Sequence, residues 1–155
     1  MIHCGSMRII TIINTNTEEF RKNILSQNSS TDYLLFDNWQ LSQKGIQWML
    51  GWGKLDQFIW SESVPNSFSQ FDNWLNSHQD WKMGYINYDL KNQIEPILLQ
   101  KNTNQLQSDW VYFFIPEILF VAREHWVEAH HYPHTTIPSF SAEEKDYIRP
   151  QLNFA

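Results

Sequence analysis

The chain reads as an α+β domain, mostly antiparallel sheet packed with two or three short helices. Three observations predict this class. Short β-branched and aromatic runs dominate the sequence, only two stretches show clear helical spacing, and the strand-like runs follow one another in groups instead of alternating with helices.

The first element is Arg8 to Ile13, a β-branched run followed by the capping residues Asn14, Thr15, Asn16 and Thr17 and by Glu18 and Glu19. That order predicts a strand and then a helix ending near Gln27. A polar break precedes Tyr33 to Phe36, whose unbroken apolar character predicts a strand buried on both faces or at the centre of the core. Ile46 to Leu50 and Leu55 to Trp60 are the next two strands, with Gly51 and Gly53 supplying a bend between them. From Ser67 the apolar residues Phe68, Phe71, Trp74 and Leu75, with His78, fall on one face of a second helix. Trp81 to Tyr88 alternates as a strand; Leu90, Ile94, Ile97 and Leu98 then suggest a short helix interrupted by Pro96. Val111 to Ile115, Ile118 to Arg123 and Trp126 to Ala129 are three final strands. After Tyr132 the periodicity stops; Pro133, Pro138 and Pro150 mark a linker, with Ser141 to Glu144 resembling a capped helix start.

A length of 155 residues suits one compact domain with a sizeable core. No run approaches the roughly 18 apolar residues of a membrane helix. A net charge of -6 provides no basic patch, which argues against nucleic acid or anionic membrane as partners. Cys4 is the only cysteine, so neither a disulfide framework nor a thiolate-rich zinc site is available, and a cytoplasmic location is expected. Residues 1–7 carry no secretory pattern and are read as a tag or disordered start. Eight Trp point first to an aromatic core and second to an aromatic-walled pocket.

Candidate chemistry is sparse. His125, His130, His131 and His134 are the densest group of potential metal ligands, but neighbours on a strand point to opposite faces, so His130 and His131 do not chelate together. Asp89 and Glu95 have no fixed separation that would make them an acid/base pair. No nucleophile elbow, glycine-rich phosphate loop or C-x-x-C occurs. No catalytic or metal-ligating residue is therefore assigned.

The run Gly84-Tyr85-Ile86-Asn87-Tyr88-Asp89-Leu90-Lys91-Asn92-Gln93-Ile94-Glu95 resembles the motif G-x-x-x-Y-D-L-x-x-x-[FI]-E of the amino-terminal domain of component I of the chorismate-aminating enzymes, the anthranilate synthases and aminodeoxychorismate synthases. Within that run Gly84 suits a close backbone approach, and Tyr88 with Asp89 is expected to cap the helix that follows. Ser108 to Phe120 is similar to the strand pair after the motif, and Leu34 to Asn38 and Ile46 to Gly53 resemble segments upstream. The resemblance spans residues 8–132 as the amino-terminal domain, with 133–155 resembling the linker toward a catalytic domain. Its Y-D-L-K-N form is closer to the aminodeoxychorismate branch.

The resemblance implies a domain of two antiparallel sheets with no catalysis of its own. The intact enzyme would aminate chorismate for p-aminobenzoate and folate, using Mg2+ and ammonia from a glutamine amidotransferase partner, in a chorismate-binding domain that this stretch lacks. It also implies a tryptophan-site-like pocket at Leu35, Asn38, Ile46, Gln47 and Trp48, and a structural role for Gly84, Tyr88, Asp89 and Glu95. The family has a serine where Asn38 aligns and an acidic residue where Gln47 aligns, and core packing accounts for the five positions equally well. The alternatives are the same domain of an anthranilate synthase, serving tryptophan synthesis, or a stand-alone small-molecule binding and regulatory module. An isolated copy is expected to self-associate, with Trp39, Trp52 and Trp60 as the exposed candidates.

Overall fold

The computed structural model describes residues 7–27, 31–37, 45–91, 109–138 and 144–145. Its elements follow the order β1 (Ile9–Asn14), α1 (Thr17–Gln27), β2 (Tyr33–Asp37), β3 (Trp48–Trp52), β4 (Asp56–Trp60), α2 (Phe68–Ser77), β5 (Met83–Ile86), a 3-10 turn (Tyr88–Leu90), β6 (Val111–Ile115), β7 (Ile118–Ala122), β8 (Trp126–His131) and β9 (Glu144–Lys145). The class is α+β with two antiparallel sheets, as the strand groupings predict. No helix among the described residues is long and apolar enough to cross a membrane.

The chain divides into two compact units, one formed by Met1–Lys54 with Pro116–Ala155 and the other by Leu55–Ile115. In the first unit the strand order is β2-β3-β7-β8-β1-β9. Its core lies where α1 covers one face of that sheet. Asn16 starts α1, its side-chain oxygen accepting from the amides of Glu18 and Glu19 at 3.1 and 3.0 Å, which satisfies two of the helix's orphan donors. Phe20 and Ile24, four residues apart and so on one helix face, are 1% and 0% exposed against Trp48, Leu50, Phe120 and Val127. Phe20 stacks on Trp48 with centroids 6.2 Å apart and meets Phe120 edge-on at 5.3 Å.

Arg8 is buried in this unit, and its charge is met by carbonyl groups. Its guanidinium donates to the carbonyls of Pro116, Glu117 and His130 at 2.5, 3.1 and 3.0 Å and lies 4.7 Å from the centre of the Tyr132 ring. The fork thus ties the start of β1 to the approach of β7 and the end of β8.

The second unit is a three-stranded sheet in the order β4-β6-β5, with α2 on one face. Ser67 caps α2, accepting from the Gln70 amide at 3.3 Å. Phe71 then packs on Phe58 and Phe113, each 5.1 Å away, and the Trp74 indole donates to Asp56 at 2.8 Å.

Three expectations need correction. Tyr33 to Phe36 is not central: β2 is an outer strand paired only with β3 among the described residues, leaving Tyr33 49% and Phe36 45% exposed. Nor is it buried on both faces, since Tyr33 and Phe36 point to opposite sides: a strand at the rim has a neighbouring strand on one side only to help cover its side chains. Trp52 and Trp60 are buried at 5% and 8% exposure, because each belongs to the core-facing set of its strand, while Trp39 lies outside the described residues. Glu144 pairs as a strand with β1 rather than opening a helix.

Replacing Phe20 by Ala removes the ring that joins α1 to both Trp48 and Phe120. Stability in urea is expected to fall by about 3–5 kcal/mol. A loss under about 1 kcal/mol would show that α1 does not pack as described.

Candidate functional site

Four of the five tryptophan-site-like positions are described: Leu35 on β2, Trp48 on the neighbouring β3, and Ile46 and Gln47 just before β3. Trp48 opens β3 and is fully buried; its indole nitrogen has no hydrogen-bond partner among the described residues. Leu35 on β2 packs against the same cluster. Ile46 and Gln47 precede β3, and the Gln47 amide oxygen accepts from the Thr17 hydroxyl at 2.7 Å, linking this segment to the first residue of α1. The structure therefore brings Leu35 and Trp48 together through the core, with Gln47 turned to the start of α1. Asn38 lies outside the described residues. The indole of Trp48 itself, stacked on Phe20, fills the centre of this region.

The motif residues form a second group, on β5 and the turn after it. Gly84 faces Phe113 across the β5 and β6 pair. A Cβ at Gly84 would collide with the Tyr112 carbonyl oxygen and sit 2.6 Å from Phe113 Cα. Only a glycine lets β5 close on β6 at this point. The 3-10 turn that follows is capped by Asn87, whose side-chain oxygen accepts from the Asp89 amide at 3.1 Å, while the Asn87 amide donates to Trp110 at 2.7 Å. Asn87 thus caps this turn, while the helix that Tyr88 and Asp89 are expected to cap lies outside the described residues. Leu90 is buried, whereas Tyr88 is 76% exposed with the Lys91 ammonium 3.8 Å from its ring centre. Glu95 lies outside the described residues.

The histidines are split as strand alternation requires. His131 faces the α1 side of the sheet, where its Nδ1 donates to the Tyr132 carbonyl at 2.8 Å, leaving Nε2 to accept from the Thr11 hydroxyl at 2.9 Å. A hydroxyl on an imidazole resembles an activated nucleophile, yet both residues are buried within paired strands, where no substrate has access. His130, on the opposite face, contacts Glu128 at 3.3 Å. Glu128 also accepts from Arg123 at 3.1 and 3.3 Å and from the Trp126 indole at 3.4 Å. The hydrogen bond from His130 is the largest influence on this carboxyl; burial opposes it, and Arg123 and Trp126 reinforce it, holding the pKa at about 2 against an ordinary 4.5. Sequence reasoning missed this cluster, although Trp126, Glu128 and His130 alternate on one strand face and could have been found by that spacing. Among the described residues no three His, Cys, Asp or Glu side chains group as metal ligands.

The chain matches no protein-family model, no curated protein and no solved structure.

Two outcomes follow from these clusters. A methyl group at position 84 must push β5 off β6, so Gly84→Ala is expected to cost about 1–3 kcal/mol and lower Tm; an unchanged Tm would mean that β5 and β6 are not in this register. Glu128, with its folded pKa depressed, stabilises the fold above pH 4.5 and loses that contribution as pH falls toward about 2. Urea midpoints should therefore drop across this window for the natural chain. Glu128→Gln should be less stable at pH 7 and change less between these limits, and parallel acid limbs for the two proteins would sink the assignment.

Proposed function

We propose that this chain is the amino-terminal, non-catalytic domain of component I of an aminodeoxychorismate synthase. In this reading a separate chorismate-binding domain aminates chorismate for p-aminobenzoate and folate, with ammonia from a glutamine amidotransferase and with Mg2+.

The observation that carries the reading is the local geometry of the run beginning at Gly84. The glycine is required by backbone contact with Tyr112 and Phe113, and the Tyr88-Asp89-Leu90 segment four residues on is a capped turn. The described part of the run, residues 84–91, thus combines a glycine-dependent strand contact with a capped turn, which supports a structural role for the motif in a scaffold domain. The arrangement of two antiparallel sheets supports the same reading. Magnesium is assigned to the catalytic domain. Glu128 does not fit as its ligand here, since both carboxylate oxygens are already committed to Arg123, Trp126 and His130. Burial of Trp48 against Phe20 favours a domain whose indole space is filled by its own side chain over one that holds a tryptophan ligand, as anthranilate synthases and some aminodeoxychorismate synthases of the family do.

Reading the natural transcript past codon 155 is the direct test: the frame is expected to continue into a chorismate-binding domain. A stop codon at that point would instead favour a stand-alone binding module. The purified chain, given chorismate, ammonia and Mg2+, is expected to form no aminated product, and product above a boiled control would overturn the non-catalytic assignment. Added L-tryptophan should leave Tm unchanged if Trp48 occupies the indole space; a concentration-dependent rise would instead reveal a tryptophan pocket, which the family has as a feedback site in anthranilate synthases and as a bound structural site in some aminodeoxychorismate synthases.

A further inference from the structure

The outer edge of β2 has the makings of an interaction surface, and it stands apart from the proposed catalytic parentage. The Gly53 amide donates to the Asp32 carbonyl at 3.0 Å, just beyond the pairing of Tyr33 with Trp52. In an antiparallel ladder the backbone groups alternate in direction, so residues 32, 34 and 36 turn theirs toward β3. Tyr33, Leu35 and Asp37 turn their amides and carbonyls to the outside, where no strand pairs with them among the described residues.

Natural edge strands are usually blunted by lysine, proline, a bulge or an inward charge. The strand Tyr33-Leu34-Leu35-Phe36-Asp37 has none of these, and its one charge sits at the last position. Tyr33 and Phe36, 49% and 45% exposed, stand on opposite faces, so each face of the edge carries an unburied ring.

We propose that this edge pairs with β2 of a second copy of the chain, antiparallel, about a two-fold axis through Leu35. The outward groups set the register. Leu35 of each copy exchanges both backbone bonds with Leu35 of the other, Tyr33 pairs with Asp37 of the second copy, and Leu34 lies opposite Phe36 of the second copy. A two-fold perpendicular to the sheet keeps each face continuous, so the half-exposed Phe36 ring is covered by a leucine. Charge is compatible with the pairing. Asp37, the one carboxylate on the strand, already holds Arg21 at 2.9 Å, and Asp32 beyond its other end holds Lys54 at 2.7 Å. Two copies therefore meet without bringing an uncompensated carboxylate against another. A contact of one five-residue strand per copy falls below the roughly 1,200 Å2 of a stable interface, so the association is weak and dependent on concentration.

Sedimentation of the whole chain at about 200 μM is expected to show a two-chain species that dissociates on dilution. Phe36→Lys, which places an ammonium against Leu34 of the second copy, should return it to a single chain with an unchanged far-ultraviolet circular dichroism spectrum. Register is tested with cysteine in a Cys4→Ser background. Leu35→Cys puts the two Cα atoms at about 5.5 Å, within disulfide reach, whereas Tyr33→Cys leaves them more than about 13 Å apart despite its greater exposure. Mild oxidation should cross-link Leu35→Cys at least tenfold faster than Tyr33→Cys. A natural chain that stays single at every concentration, a Phe36→Lys variant that still pairs, or equal cross-linking of the two cysteine variants would each overturn the proposal.

Discussion

The pairing of β3 with β7 is the constraint on which the rest depends. These strands lie next to each other in the sheet although residues 53–117 separate them in sequence, and Trp52 meets Ile118 where the chain leaves and returns. Closing so long a loop costs entropy, but the cost grows only with the logarithm of length, about 0.6 kcal/mol for each doubling. Trp48, Leu50 and Trp52 against Ile118, Phe120 and Ala122, all buried, offset it. Without this contact β2 would have no route into the sheet, because β3 is its only strand neighbour among the described residues.

Details around the junction serve the same pairing. The β3 and β7 ladder ends at Trp52 and Ile118, where residues 53–54 and 116–117 leave the strands. Gly53 takes the left-handed conformation at φ 68°, and a Cβ there would also press on the Glu117 side chain at 2.7 Å. Pro116 has no amide to leave unsatisfied where the ladder ends, and its carbonyl, with that of Glu117, is taken up by Arg8. A buried guanidinium that binds carbonyl groups from two separate segments holds them in place in a way an apolar contact cannot, since its donors have fixed directions.

Among the described residues, most buried polar side chains are occupied by the fold. Thr11 and His131 bridge β1 and β8, Thr17 and Gln47 tie α1 to β3, and Glu128 gathers Arg123, Trp126 and His130 on one face of the hairpin formed by β7 and β8. Groups that resemble catalytic machinery in a list of residue types are thus satisfied structural pairs in three dimensions. Among the described residues, that distribution leaves backbone edges and exposed rings as the surfaces open to association.

By itself the sequence determined the α+β class, the order of elements from β1 to β5 and of the strands β6 to β8, and the position of both main helices. Local physics sets those: Asn16 and Ser67 cap helices, Phe20 with Ile24 and Phe71 with Leu75 repeat at helical spacing, and the strand runs alternate or are β-branched. Gly84 was legible too, as a glycine inside a strand that needs a close backbone approach. What only the tertiary structure decided was lateral: which strands neighbour which, that β2 lies at an edge, that Trp52 and Trp60 face inward, and that Asn87 supplies the cap of the turn after β5. The buried Arg8 and the Glu128 cluster belong to the same class, because their partners come from distant segments. Periodicity along a chain reports which faces are apolar, whereas strand order follows from contacts between segments far apart in sequence, and no local pattern encodes those.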